Sequence, residues 1–241
     1  MKKLIISVAA LAITAGMAMA QDVVRMGTEG AYPPFNFIND SGDLDGMEVE
    51  IGNELCKRAG LTCEWVSNDW DSIIPNLVSG NYDTIIAGMG ITDERDEVID
   101  FTTDYVPSTP SLYVAMSDSV DLSGGVIAAQ TATLQSSFVA SSGATLVEFA
   151  TPDETIAAVK NGEADAVLAD GDYLAAIVAE SGGALMVVGE PVQIGGGVGM
   201  GVRESDPELK AKFNAAIDSM KADGTLNAIL IKWLGDETTT Y

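Results

Sequence analysis

Histidine is missing from the whole chain of 241 residues, and only two cysteines occur, Cys56 and Cys63. Without an imidazole there is no Ser-His-Asp or Cys-His catalysis and no His-ligated metal. Any catalysis would fall to carboxylates, Lys or Tyr, and two cysteines alone do not complete a metal site. Cations are scarce too: 12 Lys and Arg stand against 36 Asp and Glu, a formal charge of -24. That balance argues against nucleic acid as a partner, since neutralising phosphates takes a basic surface. An anionic membrane surface is disfavoured for the same reason, whereas a small cationic ligand would be attracted. Long apolar runs are confined to the first 20 residues. No later segment reaches the roughly 18 apolar residues that a membrane span requires.

Those first 20 residues have the build of an export signal. Lys2 and Lys3 open it, residues 4–17 are apolar, and Ala18-Met19-Ala20 forms an A-x-A-like cleavage site. The competing reading is an uncleaved membrane anchor. Residue 21 is Gln rather than Cys, so the usual bacterial lipid-attachment point is absent. The expected product is a free, exported, soluble chain of 221 residues (241 less 20). That length suffices for one large domain or two modest ones. In an exported chain the closely spaced Cys56 and Cys63 are read as one local disulfide, contributing on the order of 2–3 kcal/mol.

Along the rest, extended and helical patterns alternate. Strands are expected at residues 23–28, 62–66, 83–87, 112–116, 126–129, 145–149, 164–169, 185–188 and 199–202, with a short hairpin at residues 36–47. Helices are expected at residues 48–59, 71–78, 151–160, 172–180, 206–222 and 226–233, and residues 131–142 carry Leu134 and Phe138 at helical spacing. Residues 103–111, with Pro107 and Pro110, read as a crossing between lobes, and Leu112 and Met116 as core. Such alternation means an α/β fold with largely parallel pairing. An internal echo runs through it. Ile74, Leu77, Gly80, Asp83 and Ile85 match Ile156, Val159, Gly162, Asp165 and Val167 at a constant offset of 82. Each copy is an amphipathic helix, a Gly cap and a buried strand, which suggests two similar lobes. Their equivalent strand ends, Gly88 and Asp170, would then face a shared cleft, since open α/β sheets bind ligands beyond the carboxyl ends of their strands. Asp83 and Asp165 read as turn or cap residues.

The first copy continues into residues 85–101, where a strand passes Gly88 and Gly90 and enters a helix at Thr92. Thr92 reads as the N-cap, Asp93 and Glu94 as first-turn acids, and Arg95 as a fixed cation whose fork suits a carboxylate. An anion-receiving turn and an ordinary surface turn with a solvated Arg both fit this stretch.

Five motifs together resemble one family. They are Gly27-Thr28-Glu29-Gly30-Ala31-Tyr32-Pro33-Pro34-Phe35, Asp69-Trp70-Asp71-Ser72-Ile73-Ile74-Pro75, Ile91-Thr92-Asp93-Glu94-Arg95, Asp165-Ala166-Val167-Leu168-Ala169-Asp170 and Gly199-Met200-Gly201-Val202-Arg203. In this order they resemble the periplasmic polar amino-acid-binding proteins of ABC transporters, the group of lysine/arginine/ornithine-, histidine- and opine-binding members. The Cys56 and Cys63 pair also matches a disulfide of that group.

The resemblance implies a two-lobe periplasmic binding protein of type II, each lobe a mixed sheet flanked by helices, with two hinge crossings. Lobe 1 would be residues 21–107 and 196–241, and lobe 2 residues 111–192. It implies a monomeric, non-catalytic receptor that delivers a polar, basic amino acid or derivative to an ABC-type permease, with no cofactor. A sensor for a membrane receptor and a dehydratase on the same fold are the alternatives. Carried over by position, Arg95 and Thr133 would hold the ligand carboxylate, Asp170 the α-ammonium, and the backbone around Gly88 and Gly90 both. Tyr32 and Trp70 would flank the side chain, and Glu29 would meet its far end. Many basic-amino-acid members carry serines where this chain has Ala87, Gly88, Gly90 and Ala132, and a Gln where it has Leu134. The missing hydroxyls imply a roomier pocket that admits an opine-like or N-substituted amino acid.

Overall fold

The computed structural model describes residues 23–241, so the export signal expected at residues 1–20 lies outside the described residues. Strand β1 (Val24–Thr28) leads into three short strands, β2 (Ala31–Tyr32), β3 (Asn36–Ile38) and β4 (Leu44–Asp45), which pair in that order as a small antiparallel sheet. Helix α1 (Met47–Ala59) and strand β5 (Cys63–Ser67) follow. A 3-10 turn at Trp70–Ser72 runs into α2 (Ile73–Val78), then β6 (Thr84–Ile85), α3 (Asp93–Asp96) and β7 (Asp100–Val106). The chain continues through β8 (Ser111–Ala115), β9 (Val126–Gln130), α4 (Leu134–Ser142), β10 (Thr145–Phe149), α5 (Pro152–Asn161), β11 (Ala166–Asp170), α6 (Gly171–Glu180) and β12 (Met186–Val192). It closes with β13 (Val198–Val202), α7 (Pro207–Ala222) and α8 (Thr225–Leu234).

The strands form two five-stranded sheets of the same design, ordered β5-β1-β6-β13-β7 and β10-β9-β11-β8-β12. In each, the first three strands are parallel and the last two join antiparallel. The expectation of largely parallel pairing is therefore corrected to half. The antiparallel strands are the ones that flank the two passages between sheets, at residues 107–110 and 193–197. One strand leaves a lobe and its neighbour returns, so the two run in opposite senses with no helix between them to restore the direction.

The echo at offset 82 places β6 and β11 at the centre of their sheets. Gly80 and Gly162 both adopt left-handed φ, +79° and +76°. Asp83 Oδ2 accepts from Arg25 N–H at 2.9 Å, and Asp165 Oδ2 accepts from Val126 N–H at 2.8 Å. Each aspartate thus fastens the start of the central strand to its parallel neighbour.

Apolar faces meet as the periodicity predicts. Met26, Ile51, Leu55, Phe213, Ile217 and Leu230 are fully buried between the first sheet and α1, α7 and α8. Ile73, Leu77, Tyr82, Ile85 and Met89 fill the other face, and Ile127, Val139 and Leu168 pack in the second lobe. The Cys56–Cys63 disulfide ties α1 to the start of β5.

Three further expectations are corrected. The crossing expected at residues 103–111 is confined to residues 107–110, because residues 103–106 complete β7 and Ser111 opens β8: Phe101, Thr102, Tyr105 and Val106 are buried, and Thr102 Oγ1 accepts from Met200 N–H at 3.0 Å where the ladder with β13 shifts register. The helix after Thr92 is a single turn of 4 residues, too short to carry much dipole. Met116 lies past the end of β8 and is 51% exposed rather than core.

Candidate functional site

All eight residues singled out in the sequence, Glu29, Tyr32, Trp70, Gly88, Gly90, Arg95, Thr133 and Asp170, line one cleft between the two sheets. The elements explain why. Glu29 follows β1 and Asp170 ends β11, so both sit at carboxyl ends of strands. Tyr32 ends β2, Trp70 begins the 3-10 turn, and Thr133 is the N-cap of α4.

Arg95 is the cation of the cleft. Thr92 caps its one-turn helix, with Oγ1 accepting from Arg95 N–H at 3.2 Å. The guanidinium donates from Nη1 to Gly90 O at 2.9 Å and from Nη2 to Ala132 O at 3.3 Å. Those bonds commit two of its five N–H donors and leave three, enough for a bidentate fork. Burial holds the Arg95 pKa below its ordinary value, while Asp170 and Glu94 oppose the shift. The guanidinium carbon lies 5.4 Å from the centre of the Trp70 ring, a cation–π contact. Ala132 has φ +56°, unusual for a residue with a side chain, and its carbonyl is the one contacted by Nη2.

Asp170 comes from the other lobe. Its Oδ2 accepts from Tyr32 Oη at 2.8 Å and its Oδ1 from Gln135 Nε2 at 2.7 Å. Burial pushes its carboxyl up, against the Tyr32 and Gln135 hydrogen bonds and the Arg95 charge; Asp172 adds to the rise. A carboxylate has about four acceptor positions, so two more remain for a ligand. Glu29 Oε1 accepts from Gln130 Nε2 at 2.7 Å. Burial pushes Glu29 up to about 7, helped by Asp69, Asp153 and Glu48 and resisted by the Gln130 bond.

Two placements refine the expected roles. The Thr133 hydroxyl donates to Gln130 O at 2.7 Å and accepts from Ser136 N–H at 3.1 Å. A donation from Thr133 to a ligand would have to replace the bond to Gln130. The Tyr32 ring is stacked on Tyr173, with centroids 4.3 Å apart and planes at 20°, so one of its faces is already covered. Gly88 has φ +64°, and an added Cβ would lie 3.5 Å from the Tyr32 ring. That backbone suits glycine far better than a residue with a side chain.

Four residues escaped the sequence reading. Gln130 and Gln135 bond Glu29 and Asp170, while Asp172, also in the cleft wall, accepts from the Thr109 hydroxyl at 3.0 Å. Tyr173 backs Tyr32. Glu48 lies fully buried behind Gly88. Its carboxylate accepts from Gly88 N–H at 2.7 Å, from Asn36 Nδ2 at 2.7 Å and from the Tyr105 hydroxyl in a short contact. Asn36 in turn accepts from Gly30 N–H at 2.7 Å. Glu48 therefore ties together the loop of Glu29, the loop of Gly88 and the strand leading to the first crossing. None of the five motifs contains Glu48, and an acid in the first turn of a helix has a routine reading of its own.

A two-lobe α/β architecture with a charged cleft between the sheets defines a type II periplasmic binding protein. Residues 24–236 match the model of the bacterial extracellular solute-binding proteins, family 3, and the chain belongs to that family. A periplasmic His/Glu/Gln/Arg/opine family-binding protein from Silicibacter pomeroyi, crystallised in complex with lysine, is 74% identical. It superposes with a TM-score of 0.90 over 91% of this chain and 100% of its own. The L-arginine-binding protein of Pseudomonas aeruginosa is 36% identical, over 97% of this chain and 96% of its own. The octopine-binding periplasmic protein of Rhizobium meliloti is 32% identical, over 97% of each chain.

Proposed function

We propose that this receptor captures a basic amino acid, or an opine-like derivative of one, in the periplasm and delivers it unaltered to an ABC-type permease. Lobe 1 comprises residues 21–107 and 196–241, lobe 2 comprises residues 111–192, and the segments between them act as hinges. The observation that carries the reading is the pairing of Arg95 from one lobe with Asp170 from the other in a single cleft. A zwitterion needs one cation and one anion a short distance apart, shielded from water. Arg95 takes the carboxylate and Asp170 the ammonium. Glu29, with Asp172 also in the cleft wall, then gives the site more negative charge than the zwitterion requires, which a cationic side chain balances. The lysine in the Silicibacter pomeroyi complex and the arginine and octopine of the other two relatives fit that charge pattern. Delivery without chemistry accords with the family and with the three acids of the cleft, each already held by a hydrogen-bond donor: Gln130 on Glu29, Gln135 and Tyr32 on Asp170, and Thr109 on Asp172.

A thermal-shift panel of amino acids and opines tests the ligand class, because a ligand that binds only the folded state raises its apparent stability. Arginine or lysine should raise the melting temperature. Arg95→Ala should abolish the shift, since a buried carboxylate left without its counter-ion costs about 3–5 kcal/mol. Micromolar binding that survives in Arg95→Ala overturns the assignment.

A further inference from the structure

Tyr173, the third residue of α6, is fully buried and lines the cleft, yet its hydroxyl has no hydrogen-bond partner among the described residues. Buried tyrosines nearly always bond their hydroxyl, and an orphaned polar atom costs stability. The ring alone accounts for the packing, because stacking on Tyr32 and burial would be served equally by Phe. Tyr173 and Glu29 line the same cleft, and burial, with the charges of Asp153 and Glu29 adding to it, pushes the Tyr173 hydroxyl's pKa up. Among the described residues, the Glu29 carboxylate makes one side-chain hydrogen bond, to Gln130. The end of the cleft near Glu29 thus combines a carboxylate with a neutral oxygen that has lone pairs to offer. An ammonium or guanidinium carries several N–H donors and can use both at once.

We propose that Tyr173 is a specificity-determining residue, its hydroxyl accepting a hydrogen bond from the distal cationic group of the ligand beside Glu29. This rests on the functional reading above. It adds a contact that none of the five sequence motifs contains, since Tyr173 lies three residues beyond Asp170. The Trp70 indole N–H, also buried, lining the cleft and unpartnered, is a donor and cannot serve a cation in this way.

Tyr173→Phe separates a ligand contact from a structural one. Calorimetric titration with lysine and arginine should show a loss of roughly tenfold or more, the usual range for a hydrogen bond to a charged group. Norleucine, measured by competition with lysine, has the lysine chain without its ammonium and should lose nothing. The melting temperature of the ligand-free variant should stay level or rise, because an unsatisfied hydroxyl has been removed. Equal losses for lysine and norleucine, unchanged lysine affinity, or a lowered ligand-free melting temperature each overturn the proposal. If the wild-type protein binds neither lysine nor arginine, the functional reading itself fails, a result distinct from any of those three.

Discussion

Lowering the pH should strip the cleft of its preference for a cationic side chain, with Glu29 as the responsible group. Its carboxyl sits at about 7, mainly through burial, with Asp69, Asp153 and Glu48 adding repulsion. A ligand cation beside it favours the ionised form and returns the pKa toward its ordinary 4.5 or below. Cation affinity is then full above about pH 7 and lost as the pH falls through it. With the free carboxyl at about 7 and the bound one pushed well down by the cation, proton linkage gives roughly a tenfold loss between about pH 8 and about pH 6, and a further loss on the order of several-fold by about pH 5. Stability of the ligand-free fold moves the other way. A carboxyl raised on folding contributes most below 4.5, and that contribution, on the order of 3 kcal/mol, is lost as the pH rises to about 7. Asp170, Asp172 and Glu48 also sit above their ordinary values, but on the proposed reading Asp170 meets the α-ammonium shared by all amino acids, Asp172 is held by Thr109, and Glu48 lies behind the wall. The informative quantity is therefore the affinity ratio of arginine to citrulline, its neutral isostere, by titration calorimetry at several pH values. A ratio that stays flat from about pH 8 to about pH 6, or a decline that persists in Glu29→Gln, would refute the reasoning.

Two further perturbations probe the scaffold. Glu48→Ala leaves the Gly88 N–H, the Asn36 amide and the Tyr105 hydroxyl without their shared acceptor. At about 1–3 kcal/mol for each orphaned donor it should lower unfolding free energy by at least about 3 kcal/mol in urea titration; a loss under about 1 kcal/mol would mean the three donors find other partners. Replacing Cys56 and Cys63 together with Ser should cost about 2–3 kcal/mol, the entropy of opening a loop with a sequence separation of 7, while arginine affinity holds. A variant that binds arginine tenfold more weakly would show that the bridge also shapes the cleft.

How much of this was legible in the sequence depends on whether the signal was local. The constant offset of 82 was visible because each helix, Gly cap and strand carries its own periodicity, and the equivalent roles of Asp83 and Asp165 follow from it. Five of the eight cleft residues, Glu29, Tyr32, Trp70, Arg95 and Asp170, were readable because they lie inside the motifs; Gly88 and Gly90 were readable as glycines between a strand end and a helix start, and Thr133 only through its position in the family resemblance. Glu48 was not readable as a buried residue: in the first turn of α1 an acid is expected on electrostatic grounds alone. Gln130 and Gln135 acquire meaning only when folding sets their amides against Glu29 and Asp170. Strand β7 was hidden by its threonines and by Pro107 just beyond it, since burial of Thr102 depends on Met200, which lies 98 residues away. The antiparallel pairings were hidden because they follow from where the chain crosses between lobes, a property that no window of sequence contains.

The contacts across the cleft also explain why a ligand would hold the lobes together rather than merely fill the space between them. Tyr32 to Asp170, Gln130 to Glu29 and Arg95 to Ala132 O each join the first sheet's side of the cleft to the second's. All three leave donor or acceptor capacity on the charged partner: Arg95 keeps three N–H groups, and the two carboxylates keep acceptor positions. On the proposed reading an entering amino acid adds bonds to these groups and need not break the ones they have. Its carboxylate is anchored on lobe 1 and its ammonium on lobe 2, so neither lobe alone can satisfy both poles. The free energy of a charge-assisted pair, about 1.5–3 kcal/mol per hydrogen bond, is therefore gained in full only when the lobes are closed. Ligand binding and closure are then one equilibrium, and a substitution that weakens either pole also opens the cleft.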